Sequence, residues 1–283
     1  MGHTAILKKL TQNTQNETFE STVLTFFPHP RMVLQGKSDL KLLNTINEKI
    51  ELLEKIGIDN LIIHPFDEKF AELDAKAFVS TILVDQLRVQ KIIIGYDHRF
   101  GKNRTANIDD LITFGTQYDF EVEQISAQEI DEISISSTKI RTALEEGDIQ
   151  LANEYLGYRY FLSGTVVKGK QLGRTIGFPT ANISLEEDYK LVPQNGVYVV
   201  RAEIDGKTIY GMMNIGFNPT VQGKKKTIEV HLFDFDYDIY NRKIQVAILQ
   251  RIRSEKKFES VEVLKEQLKK DEAFSLHYLN QIE

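Results

Sequence analysis

From residue 161 to residue 253 the chain passes through β-type segments with nothing strongly helical among them: FLSGTVV, GVYVVRAEID, KTIYGMMNIG, KTIEVHLFDF and KIQVAILQRI. Gly, Asn and Pro punctuate the run, and no long helix intervenes until residues 261–278. Consecutive strands joined by turns must pair with their neighbours, which predicts a small antiparallel barrel with one closing helix. The preceding half obeys a different rule. STVLTFF at residues 21–27 is strand-like and runs into the turn Pro28-His29-Pro30. Residues 39–56 carry Leu42, Leu43, Ile46, Ile50, Leu53 and Ile56 at helical spacing, with Gly57 as a closing cap. IDNLIIH reads as a strand, residues 74–87 as a helix, KIIIGYD as a short, apolar, buried strand, FEVEQI as another strand and STKIRTALEEG as a helix. Short apolar strands alternating with helices indicate a parallel sheet covered on both faces. The expected architecture is therefore α/β + β: a Rossmann-like unit over residues 1–158 and a barrel over residues 159–283, divided near Tyr158.

Composition narrows the function classes. A net charge of −6 argues against a nucleic-acid binder held by a broad basic surface, although a local donor cluster can still hold an anion. The absence of cysteine removes disulfides, thiolate metal sites and thiol nucleophiles together. No run is long and apolar enough to span a bilayer, and the N-terminus lacks a signal-peptide layout, so the reading is a cytoplasmic protein with no membrane role.

Chemistry concentrates in GRTIGFPTANI, residues 173–183. Pro179 fixes its own φ and forces Phe178 into an extended conformation, so the chain bends sharply. Thr180 and Asn182 then project to one side of an extended segment. A hydroxyl and an amide carbonyl are hard oxygen ligands, suited to Mg²⁺ whose remaining shell is phosphate and water. Gly164, Gly169, Gly173 and Gly177 lie upstream, where backbone can approach phosphate. No P-loop pattern occurs. Taken alone, the stretch reads equally well as a β-turn with ordinary polar residues.

Downstream, TIEVHLFDF places Glu229 on one strand face with His231, opposite Ile228 and Val230. A carboxylate held by a rigid strand can act as general base on a hydroxyl, and taken singly it also reads as a solvated glutamate. RIRSEKKF adds Arg251, Arg253 and Glu255, able to orient a planar polar ligand or to form surface ion pairs. His64, His98 and His277 have no metal-ligand spacing, and Lys224–226 read as an exposed hairpin tip.

These motifs carry a resemblance. GRTIGFPTANI, GVYVV, MMNIGFNPTV, IEVHLFDF, IYNRKIQV and RIRSEKKF stand in the order found in riboflavin kinases. FFPHP, IIGYDHRFGKNR and ISSTKIR resemble the adenylyltransferase module of bacterial bifunctional riboflavin kinase/FMN adenylyltransferases, also called FAD synthetases. The resemblance implies a six-stranded kinase barrel in which Thr180 and Asn182 hold Mg²⁺-ATP, Gly173 lies against ATP and Glu229 takes the proton from the riboflavin 5′-hydroxyl. Arg253 is expected in the flavin-side loop. In the first half it implies that His29 lies near nucleotide phosphates and Asp97 in the flavin–nucleotide cleft. Ser136, Ser137, Thr138 and Arg141 are expected to open a helix toward ATP phosphates, Arg141 stabilising charge on the transferred group. Independently of any family, a helix N-terminus is a sound anion site. Asn241 departs from the family's usual Gly, and Thr105-Ala106 replaces another Gly; Asn tolerates the left-handed conformation the first position requires.

The chain opens MGHTAIL, and by resemblance Gly2-His3 close a Phe-Asp-Gly-Val-His-x-Gly-His turn whose earlier part is not in the sequence. His3 is the expected remaining catalytic imidazole of that turn, and the strand leading into it is expected inside the parallel sheet. The implied activity is phosphorylation of riboflavin to FMN and adenylylation of FMN to FAD, with ATP as co-substrate and Mg²⁺ as metal. Partners are the small molecules riboflavin, FMN, FAD and ATP, with no nucleic acid or membrane; a homo-oligomer is left open. Two other readings stand beside it. One is a riboflavin kinase whose first half is an inactive relic; the other is a flavin-binding regulator without turnover, which would need neither a metal pair nor a base.

Overall fold

The computed structural model describes residues 2–14, 19–35, 40–95, 97–125, 136–169, 172–220 and 223–282. They fall into two compact units, Met1–Ile135 and Ser136–Glu283. In chain order the first holds α1 (Gly2–Thr14), β1 (Thr22–Phe27), α2 (Pro30–Leu34), α3 (Ile46–Ile56), β2 (Asn60–Pro65), α4 (Glu68–Ala71) and α5 (Ala75–Ala77). A π-helical stretch (Phe78–Gln86), β3 (Lys91–Gly95), a 3₁₀ turn (Lys102–Arg104), α6 (Ile108–Tyr118) and β4 (Glu121–Ile125) complete it.

The parallel strands arrive as two pairs, β1 with β2 and β3 with β4, where sequence periodicity predicts one continuous sheet. The pairs are joined through side chains: Leu24 of β1 and Ile92 and Ile94 of β3 pack on one apolar cluster built around Val79, Leu83, Leu111 and Phe120. For the same reason β3 is only half-buried along its length, not the buried strand expected from KIIIGYD.

Two helix assignments also shift. The helix predicted from residue 39 begins at Ile46, because Thr45 and Glu48 form a reciprocal capping box; Leu42 and Leu43 lie before it. Gly57 closes it with φ 88°, as expected. The helix predicted over residues 74–87 is capped by Asp74 and turns π-helical after three residues.

The second unit opens with α7 (Ser137–Glu146) and α8 (Ile149–Leu156) and continues through β5 (Phe161–Val167), the short α9 (Leu172–Thr175), β6 (Ala181–Leu185), β7 (Gly196–Ile204), β8 (Lys207–Thr220), β9 (Gly223–Leu232), β10 (Lys243–Arg253) and α10 (Val261–Ile282). Strands β10-β5-β6-β9-β8-β7 close into a six-stranded antiparallel barrel, as the sequence indicates. Cross-strand partners Tyr198, Met213 and Val230, with Val200, Val246 and Ile248, are almost wholly buried and fill the interior. One outer face is covered by α10: Leu264 and Leu268 pack with Ile176, Phe178 and Met212, and Leu279 packs with Val199 and Leu249. Asn241 takes φ 60°, the left-handed turn expected of it.

Helices α7 and α8, placed before the expected boundary at residue 158, pack with the barrel. The buried Asn153 side chain explains why. Its Nδ2 donates to the Ile248 carbonyl at 3.0 Å, and its Oδ1 accepts from the Tyr160 N–H at 2.6 Å. The Gln194 N–H donates to the Leu144 carbonyl at 2.9 Å, tying α7 to the same unit.

Candidate active sites

The bend at Pro179 is built from three constraints. The Gly173 carbonyl accepts from the N–H of Ile176 at 3.2 Å and of Phe178 at 2.9 Å, so the chain turns back on itself after α9. Gly173 carries no side chain because the Phe178 carbonyl occupies the place of its Cβ. The Pro179 carbonyl accepts from Nδ1 of His231 at 2.7 Å, and the His231 ring meets the edge of Phe178 at 5.2 Å. That bond puts the imidazole proton on Nδ1, so the loop is pinned to β9.

The bend delivers Thr180 to the start of β6 and Asn182 into it. Asn182 stands directly opposite Glu229 of β9. Residues directly opposed in an antiparallel pair share a face with their Cβ atoms about 5 Å apart. The Thr180 hydroxyl lies 3.5 Å from Glu229 Oε2 and donates toward it. Thus the hydroxyl, amide and carboxylate picked out from separate motifs converge on one patch of barrel wall. All three are half-buried, open enough for a ligand.

The donor set fits a divalent cation shared with phosphate. Among the described residues no hydrogen bond engages the Asn182 amide, and no three His, Asp or Glu side chains gather into a metal cage of their own. Gly169 leaves the space that the Asn182 amide fills; any Cβ there would collide with it. Two neutral oxygen ligands require negative charge from elsewhere, which a triphosphate supplies.

The RIRSEKKF residues are committed to the barrel's own structure. Arg253 is the last residue of β10 and not part of the loop that follows. Its Nε donates to both oxygens of the buried Asp271 carboxylate at 2.9 and 3.1 Å, and Nη2 donates at 2.7 Å, which clamps α10 to β10. Glu255 Oε1 accepts from the Phe217 N–H at 3.2 Å and Oε2 from Asn195 Nδ2 at 3.0 Å, holding the loop after β10 against β8. Lys226, expected at an exposed tip, is half-buried, with Nζ donating to the carbonyls of Val192 and Pro193. His64, His98 and His277 lie against Phe70, Phe100 and Gln281 respectively.

Sequence reasoning placed His231 on the face of Glu229 but missed its bond to Pro179, which crosses strands, and missed a second neighbour altogether. Asn214 of β8 stands opposite Glu229 on the other side from Asn182, a relation that only register reveals.

In the first unit His29 and Asp97 follow the carboxyl ends of parallel strands, where open α/β sheets bind ligands. His29 follows β1 and caps α2, its Nδ1 accepting from the Arg31 N–H at 3.2 Å. Asp97 follows β3 and is exposed. His3 lies in the first turn of α1, and its side chain is outside the described residues. Ser136 caps α7, accepting from the Lys139 N–H at 3.3 Å. Ser137 and Thr138 are exposed in the first turn and Arg141 is half-buried one turn on. These four belong to the second compact unit, whereas His29 and Asp97 belong to the first.

A closed barrel that gathers a hydroxyl, an amide and a carboxylate on one patch of its wall, preceded by parallel strands with polar residues after their carboxyl ends, suits phosphate-group transfer. Comparison with known proteins gives the class its chemistry. A riboflavin kinase family model matches residues 156–279 and an FAD synthetase model matches residues 1–139. The bifunctional riboflavin kinase/FMN adenylyltransferase of Listeria monocytogenes is 40% identical over 96% of this chain and 86% of its own. That of Bacillus subtilis is 38% identical over 100% and 90%. A solved structure described as a macrolide-efflux protein from Streptococcus pneumoniae is 33% identical, with a TM-score of 0.87 over 97% of this chain and 89% of that one. The efflux description stays with that protein; no described helix here is long and apolar enough to cross a membrane. The chain belongs to the bifunctional riboflavin kinase/FMN adenylyltransferase family. It is an enzyme of flavin cofactor biosynthesis, combining a kinase with a nucleotidyltransferase.

Proposed function

We propose that the barrel transfers the γ-phosphoryl group of ATP to the riboflavin 5′-hydroxyl at the Thr180–Asn182–Glu229 patch. The observation that carries this reading is the register of β6 against β9, which sets Asn182 opposite Glu229. Thr180 and Asn182 would hold Mg²⁺, which when bound with ATP neutralises charge on the β- and γ-phosphates. Glu229 accepts the proton of the attacking hydroxyl, and the strand on which it sits fixes the direction of approach. His231 and Gly173 keep the Pro179 bend in place, so the two ligands stay aligned with the base. Phosphoryl transfer asks mainly for positioning and charge neutralisation, and the barrel wall supplies both. Arg253, held at the end of β10 by Asp271 of α10, is assigned to the flavin side of this patch.

The second activity, adenylylation of FMN, is assigned to His3, His29, Asp97, the α7 N-terminus with Ser136, Ser137 and Thr138, and Arg141. The free N–H groups and dipole of α7 favour an anionic ligand, and Arg141 adds a cation one turn along. The compartment that fits is the cytoplasm, where ATP and riboflavin meet and a chain without cysteine needs no oxidising environment.

Incubation with riboflavin, ATP and Mg²⁺, followed by chromatographic separation of flavins, tests the whole reading. FMN is expected first and FAD after it. FMN without FAD would withdraw the nucleotidyltransferase assignment, and unchanged riboflavin would withdraw both.

A further inference from the structure

The outer face of β8 changes character along its length. Tyr210 and Met212 lie under α10 in the apolar clusters, Asn214 follows, and Gly216 leaves the wall without a side chain. Asn214 is paired with Glu229 on one side and with the buried Val197 on the other. Glu229 is thus flanked in a single row by two asparagines, Asn182 on β6 and Asn214 on β8. Among the described residues neither amide is engaged in a hydrogen bond. The space beside Gly216 is edged by Asn214 Nδ2, 3.2 Å from where a Cβ would stand, and by the Glu255 carboxylate.

The two asparagines cannot serve the same part of the reaction. Asn182 lies with Thr180 on the side assigned to the metal and triphosphate. In-line displacement sets the attacking alcohol opposite the leaving oxygen of ADP. The rest of the alcohol therefore trails away from β6, across Glu229 and toward β8. The first side chain met in that direction is Asn214, about 5 Å from Glu229 between Cβ atoms. A primary amide both donates and accepts, which matches a secondary hydroxyl that does the same. Met212, one step along the face, offers only apolar surface.

We propose that Asn214 is a specificity-determining residue that hydrogen-bonds the polyol chain of the acceptor beside the hydroxyl being phosphorylated. This rests on the phosphorylation reading above. A site that pairs an amide with a substrate hydroxyl discriminates against acceptors lacking it, because the amide is then left without a partner.

The test pairs a residue deletion with a substrate deletion. Wild type, Asn214→Ala and Asn214→Ser are assayed on riboflavin and on a flavin whose five-carbon N10 chain keeps only its terminal hydroxyl. The expected result is a fall in kcat/KM for riboflavin of about tenfold in Asn214→Ala. The fall is smaller in Asn214→Ser, with no fall on the analogue and no change in KM for ATP. An equal fall on both acceptors, or none on either, overturns the role of Asn214 while leaving the kinase reading intact. Failure of the wild type to phosphorylate riboflavin overturns the kinase reading itself, and the role with it. Should Asn214→Ala not fold, the selective fall must appear in Asn214→Ser, and its absence there overturns the proposal.

Discussion

The metal role proposed for Asn182 depends on a residue elsewhere having no side chain. Gly169 adjoins the Asn182 amide so closely that a single methyl group would displace it. The atom displaced is the far end of a flexible side chain, so Gly169→Ala is expected to fold with an unchanged melting midpoint. KM for Mg²⁺-ATP should nevertheless rise about tenfold, because a small misplacement of a positioning group is costly to transfer. Steady-state kinetics beside a melting curve separates the two; an unchanged KM contradicts the account. Residues of this kind mark the limit of what the sequence discloses. Thr180 and Asn182 were legible because proline and alternation act locally, and Glu229 because its motif resembles a known one. Asn214, His231 and the Gly169 contact depend on which strand lies beside which, and no spacing along the chain encodes that. Arg253 shows the same limit: its motif points to a ligand, but the bond that holds its guanidinium to Asp271 on α10 is one that no local pattern announces.

At the scale of elements, strand and helix types followed from periodicity, and boundaries moved wherever a cap outweighed a stripe. Residues 39–56 show this, since the Thr45–Glu48 box starts the helix later than its leucines propose. Barrel closure was legible because consecutive strands pair with near neighbours. The division of the parallel strands into two pairs was not, because pairing is a matter of tertiary contact. The β1–β2 pair carries a pH-sensitive fastening. Asp59, just before β2, accepts from the Ser21 hydroxyl at 2.6 Å and the Ser21 N–H at 2.8 Å, and these bonds hold its carboxyl below the usual carboxylate range. The contribution of a carboxyl with a depressed pKa is present above its ordinary value near ~3.9 and is lost as pH falls through the lower, folded value. Hydrogen exchange should therefore show the protection factors of β1 and β2 falling below about pH 4, with a weaker pH dependence in Asp59→Asn. The same dependence in both proteins would refute the assignment.

On the scale of the whole molecule, the family comparisons match an FAD synthetase model to residues 1–139 and a riboflavin kinase model to residues 156–279, in the same order as the two textures read from the sequence. Helix α7 packs with the barrel through Gln194, whereas the strands that precede His29 and Asp97 belong to the first unit. Domain texture and physical packing thus answer different questions. The barrel wall is probed by single-turnover transfer of labelled γ-phosphate from ATP to riboflavin. Glu229→Gln should bind Mg²⁺-ATP as the wild type does and transfer phosphate about 10²-fold or more slowly, the share of a general base. Asn182→Ala should instead lose Mg²⁺-ATP affinity. Wild-type transfer by Glu229→Gln would contradict the account.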